Sequence, residues 1–560
     1  MPHLNNRNKK NEKTVAFMVA RLSSSRLPKK QFRKIGPYTI LEWIYRELKK
    51  SEEIDEIVLA TVAEAANEPL KDWCKTKDIP CFWYRGEIDH VTTRLRKAAE
   101  EFCADICVLI SGDCPLIYAP AIDNLIAQLR QHNEADVISV ISDSSDRQIA
   151  LQGVGVARRR AWQLADDISD LPELKEHHFP VIGKRPDLFK IHRCTLPKDL
   201  YTSFSHRFSV DTWADLEFMN TLYSELDKKG KEFSLPNVLE LISQKPDIMT
   251  INAHVHQMLL GEKSKKVLII ADAGRDYGYG HIMRSRELAL QITERLGWPV
   301  TFMTDDNTAK DILNNVGIRS IKFYNELFSA KDARQAARQD SPFKPYDLII
   351  LDLYHKRSLP TGWRKLFPRK ARIIVLDQTA KWTEEADRII IPSIIYDSTL
   401  PAENRPKILW GSRYIIIRRE IEHVRAKHLH KDIDMLVYLH DQDQLEAVKK
   451  IAASSPYKIS IIQGFKSDFS ELMARSRMFV SGFGQSFYEA VFLKTYPICL
   501  PDSLKHEQEA LLFYKNTGLA PQIIHKLDDL KNFKETLSFP EKISIESGVK
   551  NIVSEIKNIN

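Results

Sequence analysis

Residues 104–117 read ADICVLISGDCPLI, and this stretch decides the class of fold. From Ile106 to Ile110 the side chains are apolar without alternation, the mark of a strand buried on both faces, as a parallel sheet requires. The run stops at Ser111 and Gly112, and Asp113 falls where the strand leaves the sheet, with Pro115 closing off any continuation. Outward from it, TVAFMVA (14–20) is a second such strand, followed by the polar loop RLSSSRLPKK (21–30) and the helical pattern YTILEWIYRELKKS (38–51). EIVLAT (56–61), an amphipathic stretch through Trp73, IPCFWY (79–84) and the helix VTTRLRKAAEEF (91–102) fill the interval. Strands alternating with helices predict a mainly parallel sheet covered on both faces.

Such a sheet binds ligands beyond the carboxyl ends of its strands. That edge would carry both the loop 21–30 and Asp113. Arg21, Arg26, Lys29 and Lys30 supply positive charge there, and Ser23, Ser24 and Ser25 with backbone N–H groups can cradle phosphate oxygens. A carboxylate at Asp113 suits Mg²⁺, which takes one or two protein carboxylates and fills its remaining positions with phosphate oxygens and water. A second acid follows in RFSVDTWADLE (207–217), where Asp211 ends a short apolar strand and Asp215 opens a helix. Both of these acids could equally be helix caps.

At 560 residues the chain is too long for one core. The expected division is a flexible tail (1–12), a first α/β domain (13–246), a connector (247–265) and two further α/β lobes (266–410 and 411–560). With 43% hydrophobic and 28% charged residues the chain can bury sizeable cores, and no apolar run is long enough to span a bilayer. The seven cysteines contain no CxxC pair and several lie in apolar runs, which predicts reduced thiols and a cytoplasmic protein without membrane attachment. The net charge of +7 is dispersed, with no basic aromatic-rich strand, so no nucleic-acid partner is expected.

Taken in order, ARLSSSRLPKK, EIVLAT, DHVTTR, ISGDCPLI, KEHHFPVIGKRPDLFKI and RFSVDTWADLE resemble the spore-coat polysaccharide cytidylyltransferase family, relatives of the synthetases of CMP-sialic acid and CMP-Kdo. The resemblance covers about residues 13–245 and implies a Rossmann-like, glycosyltransferase A-like nucleotidyltransferase domain that transfers CMP from CTP to an acidic, nonulosonic-type sugar and releases pyrophosphate. It implies that Arg21, Ser23, Ser25, Arg26 and Lys30 form the nucleotide loop, Arg26 and Lys30 acting catalytically, and that Asp89 and Arg94 also bind nucleotide. Asp113 and Asp211 would hold Mg²⁺, and His177 would meet the sugar. Lys29 stands where the family has glycine, His90 where it has aspartate and His178 where it has valine. Related transferases pair, so a homodimer is expected.

At Lys266 the alternation restarts. VLIIADAG (267–274) reads as a buried strand, RDYGYGH (275–281) as a glycine-rich loop and IMRSRELALQITERL (282–296) as an amphipathic helix. A histidine at a helix N-terminus tends to remain neutral, so His281 is a candidate general base. ADAGRDYGYGHIMRSRELA, LIILDLYH, WGSRYIIIRREI and SGFGQSFYEAVFLKTYPICLP resemble the UDP-sugar hydrolase of the pseudaminic acid pathway, a two-lobed glycosyltransferase B-like protein. This implies a catalytic His281, a substrate site at Gly280 and Arg284, and a nucleotide loop at Gly482, Gly484 and Ser486, with Glu489 on the ribose of a UDP-sugar. Asp441 and Asp443 depart from that pattern by bringing negative charge towards a diphosphate, and Gln378 replaces an aspartate. The chain therefore reads as a bifunctional enzyme of surface-glycan synthesis. The alternatives are a second half that only binds nucleotide-sugars, or one that transfers a glycosyl group.

Overall fold

The computed structural model describes the chain except residues 1–11, 25, 169–180, 183–184, 259–261, 275–276, 305, 322–342, 355–356, 358, 360–361, 378–379, 396–406, 440–441, 464–465, 467, 502, 533–536, 538 and 560. Two compact units result, residues 1–263 and 264–560. Among the described residues no helix is long and apolar enough to cross a membrane. All seven cysteines are free thiols, Cys103 exposed and Cys81 half-buried.

In the first unit, strands β1 (Thr14–Val19), β2 (Glu56–Val62), β3 (Cys81–Tyr84), β4 (Ile106–Ser111), β5 (Val137–Val140), β6 (Val154–Arg158) and β7 (Ile191–Cys194) form one sheet in the order β7-β5-β6-β4-β1-β2-β3. Only β6 runs antiparallel to its neighbours, pairing Val108 with Val156 on β4 and Val137 with Ala157 on β5. The chain winds outward from β1 to β3, then returns to place β4 on the other side of β1, so the strand order switches between β1 and β4. Helices α1 (Ile40–Leu48), α2 (Glu68–Lys77), α3 (Val91–Glu101), α4 (Ala119–Gln131), α5 (Arg159–Asp167), α6 (Trp213–Asp227) and α7 (Leu235–Gln244) complete the unit. The sheet buries two apolar layers, one around Met18, Leu59 and Ile110 and the other around Phe17, Val58 and Leu109, as period-two side chains on a fully covered sheet must.

Three expectations need correction here. The short strand before Asp211 is an extended run outside any sheet, held instead by Val210 N–H donating to Asp113 C=O (2.8 Å) and Phe208 N–H donating to the Gln152 side chain (2.9 Å). The connector is in part structural: residues Pro246–Ile251 form a 3-10 turn packed on α6 and α7, and Asn252 is buried. Of the tail, Glu12 is described, and its carboxylate pairs with Arg158.

In the second unit, β8 (Val267–Ala271), β9 (Val300–Met303), β10 (Arg319–Ile321), β11 (Leu348–Asp352), β12 (Arg372–Leu376), β13 (Arg388–Ile391) and β14 (Ile408–Trp410) make a parallel sheet ordered β10-β9-β8-β11-β12-β13-β14. A second parallel sheet, β16-β15-β17-β18, comprises β15 (Ile433–Leu439), β16 (Ile459–Gln463), β17 (Ser476–Ser481) and β18 (Tyr496–Cys499). Order switches between β8 and β11 in one sheet and between β15 and β17 in the other. Four helices matter below: α8 (Gly280–Leu296), α9 (Arg419–Ala426), α10 (Gln485–Phe492) and α11 (Val549–Asn558). Residues 415–545 bury their own apolar cluster around the second sheet, and the final helix α11 packs back on α8 beside the first sheet. Arg419 on α9 reaches both Glu287 (3.1 Å) and Glu294 (2.9 Å) of α8, all three buried. Paired in this way, the charges hold α8 and α9 in one register.

Candidate functional site

Each unit's chemistry gathers at a switch point, where neighbouring loops diverge and leave a crevice. In the first unit the loop after β1 is pinned from below: Leu22 N–H donates to the fully buried Asn67 side chain (2.8 Å), whose amide donates to Val62 C=O (3.1 Å). Lys29 N–H closes the loop on Leu22 C=O (3.2 Å), and Lys29 takes left-handed angles, φ 54° and ψ 32°. This explains the glycine that the related family has there, since glycine carries no Cβ penalty in that region.

After β4, Gly112 N–H donates to Val19 C=O (2.9 Å) where the two strands part. A Cβ on Gly112 would meet that carbonyl oxygen at 2.5 Å. Gly112→Ala is therefore expected to push the Asp113 turn away from β1, costing about 1–3 kcal/mol of stability and a larger share of activity. Thermal melts and turnover measured side by side check this, and unchanged turnover would contradict it.

Asp113 and Asp211 converge. Lys30 Nζ lies 2.6 Å from Asp113 Oδ2 and 2.7 Å from Asp211 Oδ1. Arg26 lies 3.3 Å from the same Asp211 oxygen, and Arg207 donates to the other at 2.6 Å. Burial by itself would raise the Asp211 pKa, but Lys30, Arg26 and Arg207 outweigh it and hold the carboxyl well below its usual range. Burial likewise opposes the Lys30 charge, and the two carboxylates outweigh it, keeping the ammonium protonated. Asp215 turns out to be the cap: its carboxylate accepts from Thr212 N–H (2.9 Å) and Asp211 N–H (3.0 Å) in a reciprocal capping box at the start of α6. Asn252 donates to its other oxygen at 2.9 Å. Sequence reasoning missed Arg207 and Asn252. Arg207 Nη1 is buried and has no hydrogen-bond partner among the described residues, so it is a spare donor beside the acids.

The other expected nucleotide contacts separate into two kinds. Arg21 pairs with Asp89 (2.9 Å), and both stay substantially exposed at the rim. Ser23 is exposed, while Ser24 Oγ accepts from Leu27 N–H (3.3 Å). Arg94 differs from its expected role: it is 1% exposed, and its Nη2 donates to Ile88 C=O (2.7 Å), so it holds the loop bearing Asp89 instead of facing a ligand. Burial, reinforced by Arg21, pushes its pKa down to about 10. His90 takes the cap position of α3 without a side-chain bond to that helix. Ser25, His177 and His178 lie outside the described residues.

A family model described as cytidylyltransferase matches residues 15–233. An uncharacterized protein of Methanocaldococcus jannaschii is 30% identical over 253 residues, which are 44% of this chain and 96% of that protein. Through its N-terminal unit the chain belongs to the cytidylyltransferase family. The cytidylyltransferase unit is also 31% identical over 127 residues to the 3-deoxy-manno-octulosonate cytidylyltransferase of Acidobacterium capsulatum, 22% of this chain and 50% of that protein. The spore coat polysaccharide biosynthesis protein SpsF of Bacillus subtilis is 23% identical over 242 residues, 42% of this chain and 97% of that protein. Among solved structures, a cytidylyltransferase from Leptospira borgpetersenii is 24% identical with a TM-score of 0.38, covering 44% of this chain and 99% of that one.

Outside the cytidylyltransferase unit, the β8/β11 switch point holds a second cluster. His281, in the first turn of α8, places Nδ1 2.7 Å from Asp352 Oδ1 at the end of β11. Asp352 is completely buried and also accepts from Arg284 Nε (2.9 Å), Arg284 Nη2 (2.6 Å) and Ser285 Oγ (2.6 Å). Burial would raise its pKa, yet Arg284 and then His281 hold it well below the carboxylate range. Arg284 Nη2 lies 3.0 Å from the same Nδ1, so Asp352 and Arg284 together hold the Nδ1 edge of the ring, which is 17% exposed and lies edge-on to Tyr354. Gly280 begins the helix beside it.

Two expectations change. Arg284, expected to meet substrate, is buried and spends its donors on Asp352 and Asp377. Glu489, expected on ribose, is 1% exposed with both oxygens taken by buried Arg418, so a ribose contact would first have to open that pair. Gly482 and Gly484 lie between β17 and α10 as the glycine-rich reading expected, and Ser486 sits in the first turn of α10. Asp443 falls in the helix Gln442–Ser454, and Asp441 and Gln378 lie outside the described residues.

Proposed function

We propose that the chain joins CMP, taken from CTP, to an acidic sugar with release of pyrophosphate. The observation that carries this reading is the meeting of Asp113 and Asp211 under Lys30, Arg26 and Arg207 at the β1/β4 switch point of a cytidylyltransferase unit. One relative supports the acceptor class by name, a 3-deoxy-manno-octulosonate cytidylyltransferase, and another is a spore coat polysaccharide biosynthesis protein. The donor set fits Mg²⁺: two hard carboxylates converge on one cationic point, with the spare Arg207 N–H beside them for phosphate. Asp113 and Asp211 would hold the ion, which when bound screens the phosphates and stabilises the leaving pyrophosphate. The residues of this chain position the rest. Arg21 at the rim and Arg26, Lys30 and Arg207 within neutralise the triphosphate, so that the sugar hydroxyl attacks the α-phosphorus in line. The new O–P bond forms as the bond from the α-phosphorus to the oxygen bridging to the β-phosphate breaks, pyrophosphate leaves, and the hydroxyl proton passes to solvent water. Incubating the protein with CTP, Mg²⁺ and a panel of octulosonic and nonulosonic acids should yield a CMP-sugar by mass spectrometry. A panel with neither product nor pyrophosphate would overturn the reading.

A second reading concerns residues 264–560, and the His281–Asp352 pair favours it. This unit acts as a glycosyltransferase B-like hydrolase of a UDP-sugar, with His281 Nε2 accepting a proton from the attacking water. Two parallel sheets, each with its own switch point, and the return of α11 to α8 support that architecture. His281→Ala is expected to lower UDP release at least about 10²-fold while leaving the dissociation constant for UDP within about threefold. Equal turnover in the variant would leave a unit that only binds.

A further inference from the structure

The proposed reaction needs a divalent cation on Asp113 and Asp211, yet an ammonium already occupies the point where these carboxylates meet. Lys30 Nζ contacts both at 2.6 and 2.7 Å, and the side chain is buried. Counting formal charges in contact, Lys30, Arg26 and Arg207 balance Asp113, Asp211 and Asp215, the last lying 3.4 Å from Arg207 Nε. The cluster is thus neutral before any ligand arrives. A metal ion entering alone would add two uncompensated positive charges beside three fixed cations, where little water screens the repulsion. A triphosphate changes the balance. Its oxygens can take the ammonium, and its charge offsets that of the ion. Lys30 is suited to the exchange, because its point charge rides on a flexible four-carbon stem that starts at a turn, whereas a guanidinium fork is committed to one planar geometry.

We propose that Lys30 is a resident counter-ion that excludes the metal until nucleotide binds: its ammonium passes from Asp113 and Asp211 to the phosphates of the incoming triphosphate, and only then do the carboxylates accept the ion. The proposal rests on the cytidylyltransferase reading. It makes binding of metal and nucleotide reciprocal, since whatever moves Lys30 for one ligand prepares the site for the other.

Mn²⁺ uptake by the full chain, followed by the paramagnetic resonance of the free ion with and without CTP and with no acceptor sugar, tests it. In the native protein Mn²⁺ is expected to bind at least about tenfold more tightly with CTP than alone. Lys30→Met is expected to tighten Mn²⁺ binding in the absence of CTP by about tenfold and to shrink the nucleotide dependence. Asp113→Asn should abolish uptake in either background, and uptake that survives it overturns the proposal by placing the ion elsewhere. Unchanged or weaker Mn²⁺ binding in a folded Lys30→Met protein also overturns it. The native comparison stands without any variant: if CTP binds but Mn²⁺ binds equally well alone, the Lys30 proposal fails and the function stands. If CTP does not bind at all, both fail.

Discussion

Replacing Asp113 with alanine should lower pyrophosphate release from CTP and an acidic sugar by at least about 10³-fold while leaving the protein folded. In the proposed reaction this carboxylate is one of two that would hold the ion, a role that none of the neighbouring cations can take. Its side chain is a quarter exposed, so its loss opens no core cavity, and Lys30 keeps Asp211 as a partner. The melting temperature should stay within a few degrees, about the shift that 1–2 kcal/mol produces in a domain of this size. Coupled-enzyme detection of pyrophosphate, with circular dichroism as the folding control, makes the measurement. Near-native turnover in this variant would remove Asp113 from the site.

Asp352→Ala should act in the opposite sense, through stability. Asp352 is completely buried and is the meeting point of Arg284, His281 and Ser285. Removing it leaves the buried Arg284 guanidinium with Asp377 as its remaining acid, a change that costs about 3–5 kcal/mol when one partner of a buried pair is lost. A fall on the order of 10 °C in the unfolding of residues 264–560 is expected. The effect should depend on pH with a definite sign. Because the folded state holds this carboxyl below its ordinary range, its stabilisation is complete above the unfolded value of about 4. That stabilisation is lost as pH falls towards the folded value. Native and variant proteins should therefore converge in stability in acid, and a gap that persists or widens below pH 3 would refute the assignment.

Much of this was open to sequence reading because strand ends announce themselves. ISGD at the end of β4 and the basic loop after β1 were found by the abrupt stop of an apolar run, and the topology then brings both to one switch point. The same signature stands in LIILD at the end of β11, where it could have identified Asp352 as readily as Asp113. What the sequence concealed was the destination of buried charges. Arg284 and Glu489 both looked available to ligands, because their partners Asp352 and Arg418 are 68 and 71 residues away. Arg207 sits four residues before Asp211 on an extended run with no periodicity to orient it, so its contact with the acid arises only from the fold. Lys29 shows the converse: a non-glycine residue sits in the left-handed turn while its N–H still closes the loop on Leu22.

Asn252 bears on where the two units could be parted. It lies beyond the last helix of the first unit, in a stretch whose composition suggests a spacer, yet its amide steadies Asp215, and Asp215 in turn holds the backbone of Asp211. Severing the chain after residue 246 would therefore loosen the reaction centre from behind, whereas a break near residue 263 leaves that brace intact. Residues 246–252 therefore belong structurally with the first unit, whose boundary falls at Lys263.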